Sequence, residues 1–347
     1  MRARRISIMG PMKDLVLVVI ARNEARCIER CLNSFSAHVD HALVLDTGST
    51  DDTVRLARAA GAEVQHFAWC DDFSAARNAA LQAAGARWHL VVDADEWLDS
   101  GADALAAWRQ REPRHCGVVT VRSSVESTDG RGVVSAPLLR LLPGDVRYAG
   151  RIHEQPQTQL PPADTGLSLL HDGYAAQQVA AKSQRNEHLL RMALAEQPDE
   201  PYLLFQLGVA LALSGSDADA AAAYAQALQR VAPAASYRGE LVRRLLITLQ
   251  SLREWTVAAE LLEAEMQSYS DSAYFMLTVG NVFWNWAQEQ PDSTALLPMA
   301  EGAWQRALQL SGQAGSEPGL YLEQTGERAA LSLAALYQQR MRARAVA

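Results

Sequence analysis

Apolar and polar positions alternate along the first half of the chain in two different periods. Leu15–Ala21 is an unbroken aliphatic run of strand length, and Glu24–Ala37 places Cys27, Ile28, Cys31, Leu32 and Phe35 at helical spacing. His41–Leu45 predicts a second strand, and Thr53–Ala60 a second helix closed by Gly61. Ala62–Phe67 reads as strand, Phe73–Ala84 as helix ended by Gly85, and Trp88–Val92 as strand. Strands alternating with helices at this spacing predict a parallel sheet covered by helices, an α/β domain. Further on, Leu138–Leu142, Val146–Tyr148 and Leu167–Leu170 are strand-like.

Near residue 175 the pattern changes. From there to the end Ala, Leu and Gln recur at helical spacing with no strand signal, so the expected division is 1–174 and 175–347. Within Pro201–Pro233, Leu204, Leu207, Gly208, Leu211, Ala220, Tyr224 and Ala227 fall at the positions of a 34-residue tetratricopeptide repeat. Leu245, Leu246, Ala258 and Leu262 repeat it loosely. Gly280, Phe283, Ala300, Trp304 and Ala307 repeat it again, with about eight extra residues around Pro291. Three helix pairs would make a short solenoid; a plain helical bundle is the alternative. Tyr202, Phe205, Tyr274, Trp284 and Trp286 could line a binding face or simply pack helix against helix.

At 347 residues the chain is long enough for two domains. Its 40 acidic and 32 basic side chains leave a net charge of −8, which argues against a protein built to grip nucleic acid. No apolar run reaches the length of a membrane helix. The basic Met1–Arg5 start is followed by a stretch broken at Gly10, Pro11 and Lys13, so a secretory signal is not expected, and Met12 could itself be the start. Four scattered cysteines make no disulfide framework, and Cys27 with Cys31, one turn apart, is a weak metal candidate. The expected location is cytoplasmic.

Ligands on parallel sheets sit at the carboxyl ends of the strands, and here those ends are acidic. They carry Asn23-Glu24, Asp46-Thr47-Gly48-Ser49-Thr50-Asp51, Asp71-Asp72 and Asp93-Ala94-Asp95-Glu96. Such a rim suits a divalent cation and the hydroxyl donors of a nucleoside. Helix capping explains Ser49, Thr50 and some of the Asp residues equally well, and Asn23 and Glu24 could start the first helix. Capping does not explain Asp93 and Asp95. Two carboxylates one residue apart, leaving a strand, can reach one Mg²⁺ or Mn²⁺ shared with a diphosphate.

The stretches Ala21-Arg22-Asn23-Glu24, Asp46 to Asp51, Asp72-Phe73-Ser74-Ala75-Ala76-Arg77-Asn78 and Asp93 to Glu96, in that order, resemble the family 2 glycosyltransferases. A looser match continues through Gly150-Arg151-Ile152-His153-Glu154-Gln155 and His171-Asp172-Gly173-Tyr174. With helical repeats behind it, the chain resembles the subgroup containing bacteriocin S-glycosyltransferases. It is also similar to lipopolysaccharide-core glucosyltransferases, which generally lack the repeats.

The resemblance implies a GT-A fold and inverting transfer from a nucleotide-diphospho-sugar, most often a uridine one, with Mn²⁺ or Mg²⁺. Carried over by motif, Asp46 would hold the uracil, flanked by the loop after the first strand at Ala21, Asn23 and Glu24, with Gly48, Ser49 and Asp51 in the same pocket. Arg77 would lie near the diphosphate, or else pair with Asp71 or Asp72. Asp93 and Ala94 would face the ribose or sugar, Asp95 would be the main metal ligand beside Asp93, and His171 either closes on the metal or makes structural hydrogen bonds. For the base that takes the acceptor's proton, Glu154 is the choice. His153 would orient it, bind phosphate or help hold the metal, and Glu126 is a rival. The repeats would recruit a peptide or protein acceptor or pair subunits as a homodimer. The alternatives are a polysaccharide or lipopolysaccharide acceptor, or a non-catalytic scaffold carrying a degenerate transferase domain.

Overall fold

The computed structural model describes residues 14–127, 130–171, 176–290, 295–312 and 321–346. Two compact units account for them, Met1–Ser123 with Pro137–Gly173, and Ser124–Ala136 with Tyr174–Ala347.

The first unit is built on β1 (Leu15–Ala21), β2 (His41–Asp46), β3 (Glu63–His66) and β4 (Trp88–Asp93), interleaved with α1 (Ile28–Phe35), α2 (Thr53–Ala59) and α3 (Phe73–Ala84). β1 pairs in parallel with β2 and with β4, and β2 with β3, as the alternating pattern predicts. Because successive side chains of a strand point to opposite faces, β1 feeds two cores at once. Leu15, Leu17 and Val19 pack with α1, whereas Val16 and Val18 pack with Ala76, Ala80 and Leu81 of α3. That double burial is why the run is aliphatic throughout.

Beyond β4 the sheet turns mixed. β5 (Glu96–Ser100), α4 (Asp103–Arg109), β6 (Cys116–Ser127), β7 (Gly130–Pro143) and β10 (Pro162–His171) give the order β3-β2-β1-β4-β7-β6-β10-β5, with β8 (Arg147–Ala149) and β9 (Gln155–Gln157) as a separate ribbon. β7 runs antiparallel to β4, and β10 lies parallel to β6 and antiparallel to β5. The half-parallel, half-antiparallel sheet is that of a GT-A domain.

The first helix begins later than its spacing predicts, at Ile28 rather than Glu24. The residues before it are tied instead to the loop after β2. Asn23 and Glu24 donate their backbone N–H to Ser49 Oγ (3.0 Å) and Thr53 Oγ1 (2.7 Å), and Ala25 donates to Asp51 (3.2 Å). Asn23 sits at φ +57°, off the helical path.

The second unit holds α5 (Ala176–Glu196) and the antiparallel pairs α6 (Pro201–Leu213) with α7 (Asp217–Arg230), α8 (Arg238–Ser251) with α9 (Trp255–Tyr269), and α10 (Ala273–Glu289) with α11 (Leu296–Ser311). α12 (Thr325–Val346) packs on α10 and α11. Each pair touches the next, α7 on α8 and α8 on α10, which is a solenoid rather than a plain bundle. Two glycines let the helices close. A Cβ on Gly208 would lie 2.5 Å from the Tyr224 ring, and one on Gly280 would lie 2.3 Å from the Trp304 ring.

Segment Ser124–Ala136, the end of β6 and start of β7, belongs to this helical unit, where β11 (Tyr321–Leu322) pairs with Val134 and Ser135. The helical unit thus also takes in a segment from the first half of the chain. The aromatic positions are packing positions. Tyr202 and Phe205 meet Tyr237, Tyr274 lies under Arg243, Trp286 stacks on Trp255, and Trp284 lies against Trp304. Among the described residues no helix is long and apolar enough to cross a membrane.

Candidate active site

The loops after β1 and β2 are knitted into one surface. Asn23 Oδ1 accepts from the Thr50 N–H at 2.8 Å. Asp46 ends β2 with its carboxylate turned inward, accepting from the N–H of Ser49 (3.1 Å) and Gly48 (3.3 Å), with His66 Nδ1 at 3.2 Å. Gly48 adopts φ +105°, which a side chain would oppose. Burial opposes ionisation of Asp46, but the hydrogen bonds from Ser49, His66 and Gly48 outweigh it and hold the carboxyl below its usual range. Asp46 is 4% exposed, and its carboxylate fixes the turn through Gly48 and Ser49. Asp51 serves its neighbours too, accepting from Thr53 and Ala25.

At the end of β4 a buried chain of alternating charges begins. Asp93 Oδ1 accepts from Arg77 Nη2 and Asp93 Oδ2 from Arg140 Nη2, both at 2.7 Å. Arg77 also pairs through Nε with Glu154 Oε1, and Arg140 with Glu96 Oε1 at 3.0 Å. Glu96 Oε2 in turn accepts from the Asp93 N–H at 2.9 Å, closing the turn between β4 and β5. Burial alone would neutralise Asp93, yet Arg140 and Arg77 hold its pKa far below the usual carboxylate range. Its side chain keeps 35% exposure, so lone pairs remain open beside the two guanidiniums. Arg77 Nη1 is buried with no hydrogen-bond partner among the described residues, an orphaned cationic donor that a ligand oxygen would satisfy.

Arg77 thus pairs with neither Asp71 nor Asp72. Asp72 caps α3, accepting from the Ala75 N–H at 2.9 Å. The Asp71 carbonyl accepts from Arg151 at 3.0 Å. Glu154 reaches Arg77 because two anchors hold its loop against α3. Asn78 exchanges hydrogen bonds with the backbone of Tyr148 at 2.9 and 2.8 Å, and the Phe73 N–H donates to the Arg151 carbonyl at 2.8 Å. Gly150 at φ +104° turns the chain between them, and His153 at φ +51° turns it again. Burial lowers the His153 pKa to about 4, so its ring is neutral near pH 7.

Asp95 faces His171. Nε2 of the imidazole lies 3.3 Å from Asp95 Oδ2, while Nδ1 meets Ser123 Oγ at 3.0 Å. Sheet register puts them together, because His171 sits opposite Glu96 on one side and Ser123 on the other. Burial disfavours the charged ring, but Asp95, Glu96 and Asp93 outweigh it and raise the pKa.

Among the described residues no three His, Cys, Asp or Glu side chains converge on a common point. The Asp95–His171 pair fits a divalent cation. Two donors each about 2.1 Å from one ion and at right angles lie roughly 3.0 Å apart, close to the observed separation. The Ser123 hydroxyl fixes the ring from behind, as outer partners of metal-binding histidines do. Asp93 lies beside them with both oxygens bonded to arginines and its outer lone pairs open.

The sequence model described as Glycosyl transferase family 2 matches residues 16–149. A TPR repeat-containing protein of Synechococcus elongatus is 31% identical over 76% of this chain and 68% of its own length. Residues 16–149 thus form a glycosyl transferase family 2 domain. Glycosyltransferase SunS of Bacillus subtilis is 30% identical over 58% of this chain, and the chain spans half of that relative. A glycosyltransferase of Rickettsia prowazekii is 36% identical over 25% of this chain and 30% of its own.

In this glycosyltransferase the acidic rim is thus divided by tertiary contacts into three parts. Asn23, Glu24, Asp46, Gly48, Ser49 and Asp51 form a loop surface beside Ala21, Asp93 with Arg77 and Glu154 forms an ion-pair chain, and Asp95 faces His171. Arg140, Ser123 and Glu96 complete the last two parts, and sequence reading assigned none of them a role. The one available signal was Arg140 itself, an arginine inside the apolar run Leu138–Leu142. The side chain of Glu126, and Asp172, Gly173 and Tyr174, lie outside the described residues.

Proposed function

We propose that the protein is an inverting, metal-dependent transferase that moves a sugar from a nucleotide-diphospho-sugar, a uridine one by preference, to a peptide or protein acceptor. The observation that carries this reading is the adjacency of three features: the Asp95–His171 pair, the orphaned donor of Arg77, and Glu154 on the other side of Arg77. Asp95 and His171 hold Mn²⁺ or Mg²⁺, which when bound neutralises the diphosphate as it leaves. Arg77 donates to the diphosphate through Nη1. Asp93, pinned by two guanidiniums, accepts from a hydroxyl of the ribose or sugar.

Glu154 is the base. Arg77 holds its Oε1, leaving Oε2 to take the acceptor's proton as the acceptor atom bonds to the anomeric carbon. The bond from that carbon to the diphosphate oxygen breaks on the opposite face, with positive charge developing on the ring as in glycoside hydrolysis. Neutral His153 supports the turn that aims Glu154.

The acceptor reading is supported within the helical unit by a cleft of about 340 Å³ lined by Gln250, Asn281, Trp284, Asn285, Trp304 and Arg328.

A screen of nucleotide-sugars by thermal shift, with and without Mn²⁺, tests the donor side. A true donor at ~100 times its dissociation constant adds about 2.7 kcal/mol of stability. Absence of any Mn²⁺-dependent shift across uridine, guanosine, thymidine and cytidine sugars would remove the reading.

A further inference from the structure

Arg140 belongs to none of the motifs by which the chain resembles its family, yet it is buried where two of their acidic residues meet. It sits on β7, at 8% exposure, and its Nη2 is shared between Asp93 Oδ2 (2.7 Å) and Glu96 Oε1 (3.0 Å). Glu96 reaches back to the Asp93 backbone N–H, so Arg140 braces both arms of the turn that presents Ala94 and Asp95. Arg77 reaches the other oxygen of Asp93 from α3. Asp93 is therefore clamped between two elements from opposite sides of the sheet order, and its carboxylate plane is set by both.

We infer that Arg140 is a positioning residue for the donor site, acting through Asp93 and the Asp93–Glu96 turn. The inference rests on the proposed donor site but adds a residue to it. Without Arg140 the Oδ2 side of Asp93 is unrestrained, and Glu96 is left as a buried carboxylate with no cation. Asp93 then rotates toward Arg77, and the turn carrying Asp95 loses its brace. A displacement of ~1 Å at a reacting site can cost about 10²-fold.

The test uses the full-length protein, Arg140→Met and Arg140→Lys, with circular dichroism to find a temperature at which each variant is folded. At that temperature the affinity for UDP is measured by calorimetry in Mn²⁺. The expected result is a loss of at least about tenfold in UDP affinity for Arg140→Met, and a smaller loss for Arg140→Lys. If Arg140→Met does not fold, Arg140→Lys carries the test, since its ammonium still compensates the two carboxylates but is a single point on a shorter stem. Folded variants that bind UDP within twofold of the wild type, with only the melting temperature moved, would reduce Arg140 to a structural ion pair. Failure of the wild type itself to bind UDP in Mn²⁺ would instead remove the donor-site reading beneath.

Discussion

Replacing Glu154 with Gln separates chemistry from architecture at this site. Glu154 and Arg77 are nearly equally buried, each side chain 9% exposed. Gln keeps the shape and an oxygen to accept from Arg77 Nε, and Arg77 retains Asp93 at 2.7 Å as a charged partner. The stability loss is therefore that of weakening one charge-assisted hydrogen bond, roughly 1–2 kcal/mol, rather than of stranding a buried cation. In a domain of this size that is a fall of a few degrees in melting temperature, at about 2–4 °C per kcal/mol. Basicity, however, is gone. Removing a general base costs about 10²–10⁴ in rate, or roughly 2.7–5.5 kcal/mol of barrier at 1.36 kcal/mol per decade. The two numbers are far enough apart to be read separately. Donor binding by calorimetry should hardly change while transfer collapses. A variant that transfers within a few-fold of the wild type would refute Glu154 as base and return the assignment to His153 or Glu126.

Other expectations follow from the same contacts. Asp95→Ala should abolish transfer and the Mn²⁺ dependence of donor binding with the fold intact; full activity, or indifference of the wild type to excess chelator, would contradict the metal reading. Gly280→Ala puts a methyl 2.3 Å from the Trp304 ring, and overpacking of this kind should cost about 1–3 kcal/mol. An unchanged denaturant midpoint by tryptophan fluorescence would show that the helices do not close on that glycine. Buried His89 accepts from the Ala86 N–H, and burial brings its pKa down to about 4. The unfolded chain takes up that proton near pH 6.5, so the stability is fully present above 6.5 and falls as pH drops toward 4. The loss approaches about 3 kcal/mol. Urea titrations between pH 7.5 and 4.5 should show the slope, and His89→Gln should flatten it.

Much of the first unit was legible because local rules and tertiary outcome agree there. β1, β2 and β4 are short apolar runs, and each is buried where its pattern says. Asp72 caps α3 and Gly85 ends it in the left-handed conformation. The solenoid was legible for a related reason. Gly208 against Tyr224 and Gly280 against Trp304 are small-to-large pairs within one helix pair, and the repeat makes them recur. The aromatics of α6 and α10 carried less information, because ring contacts between helices and ring contacts with a ligand use the same residue types at the same spacing.

What the chain determined by itself is which chemical groups stand at the strand ends, since residue type, spacing and the ends of hydrophobic runs are local properties. Only the tertiary structure decided which of those groups meet. Arg77 had two acids within six residues, Asp71 and Asp72, and pairs with neither, taking Asp93 and Glu154 instead, sixteen and seventy-seven residues away. His171 faces Asp95 only because β10 pairs with β5 in one register and with β6 in another. Arg140 reaches the site because β7 enters the sheet antiparallel to β4. Such choices depend on burial: a charge removed from water must find a partner among whatever the fold brings near it, and sequence distance has no bearing on that.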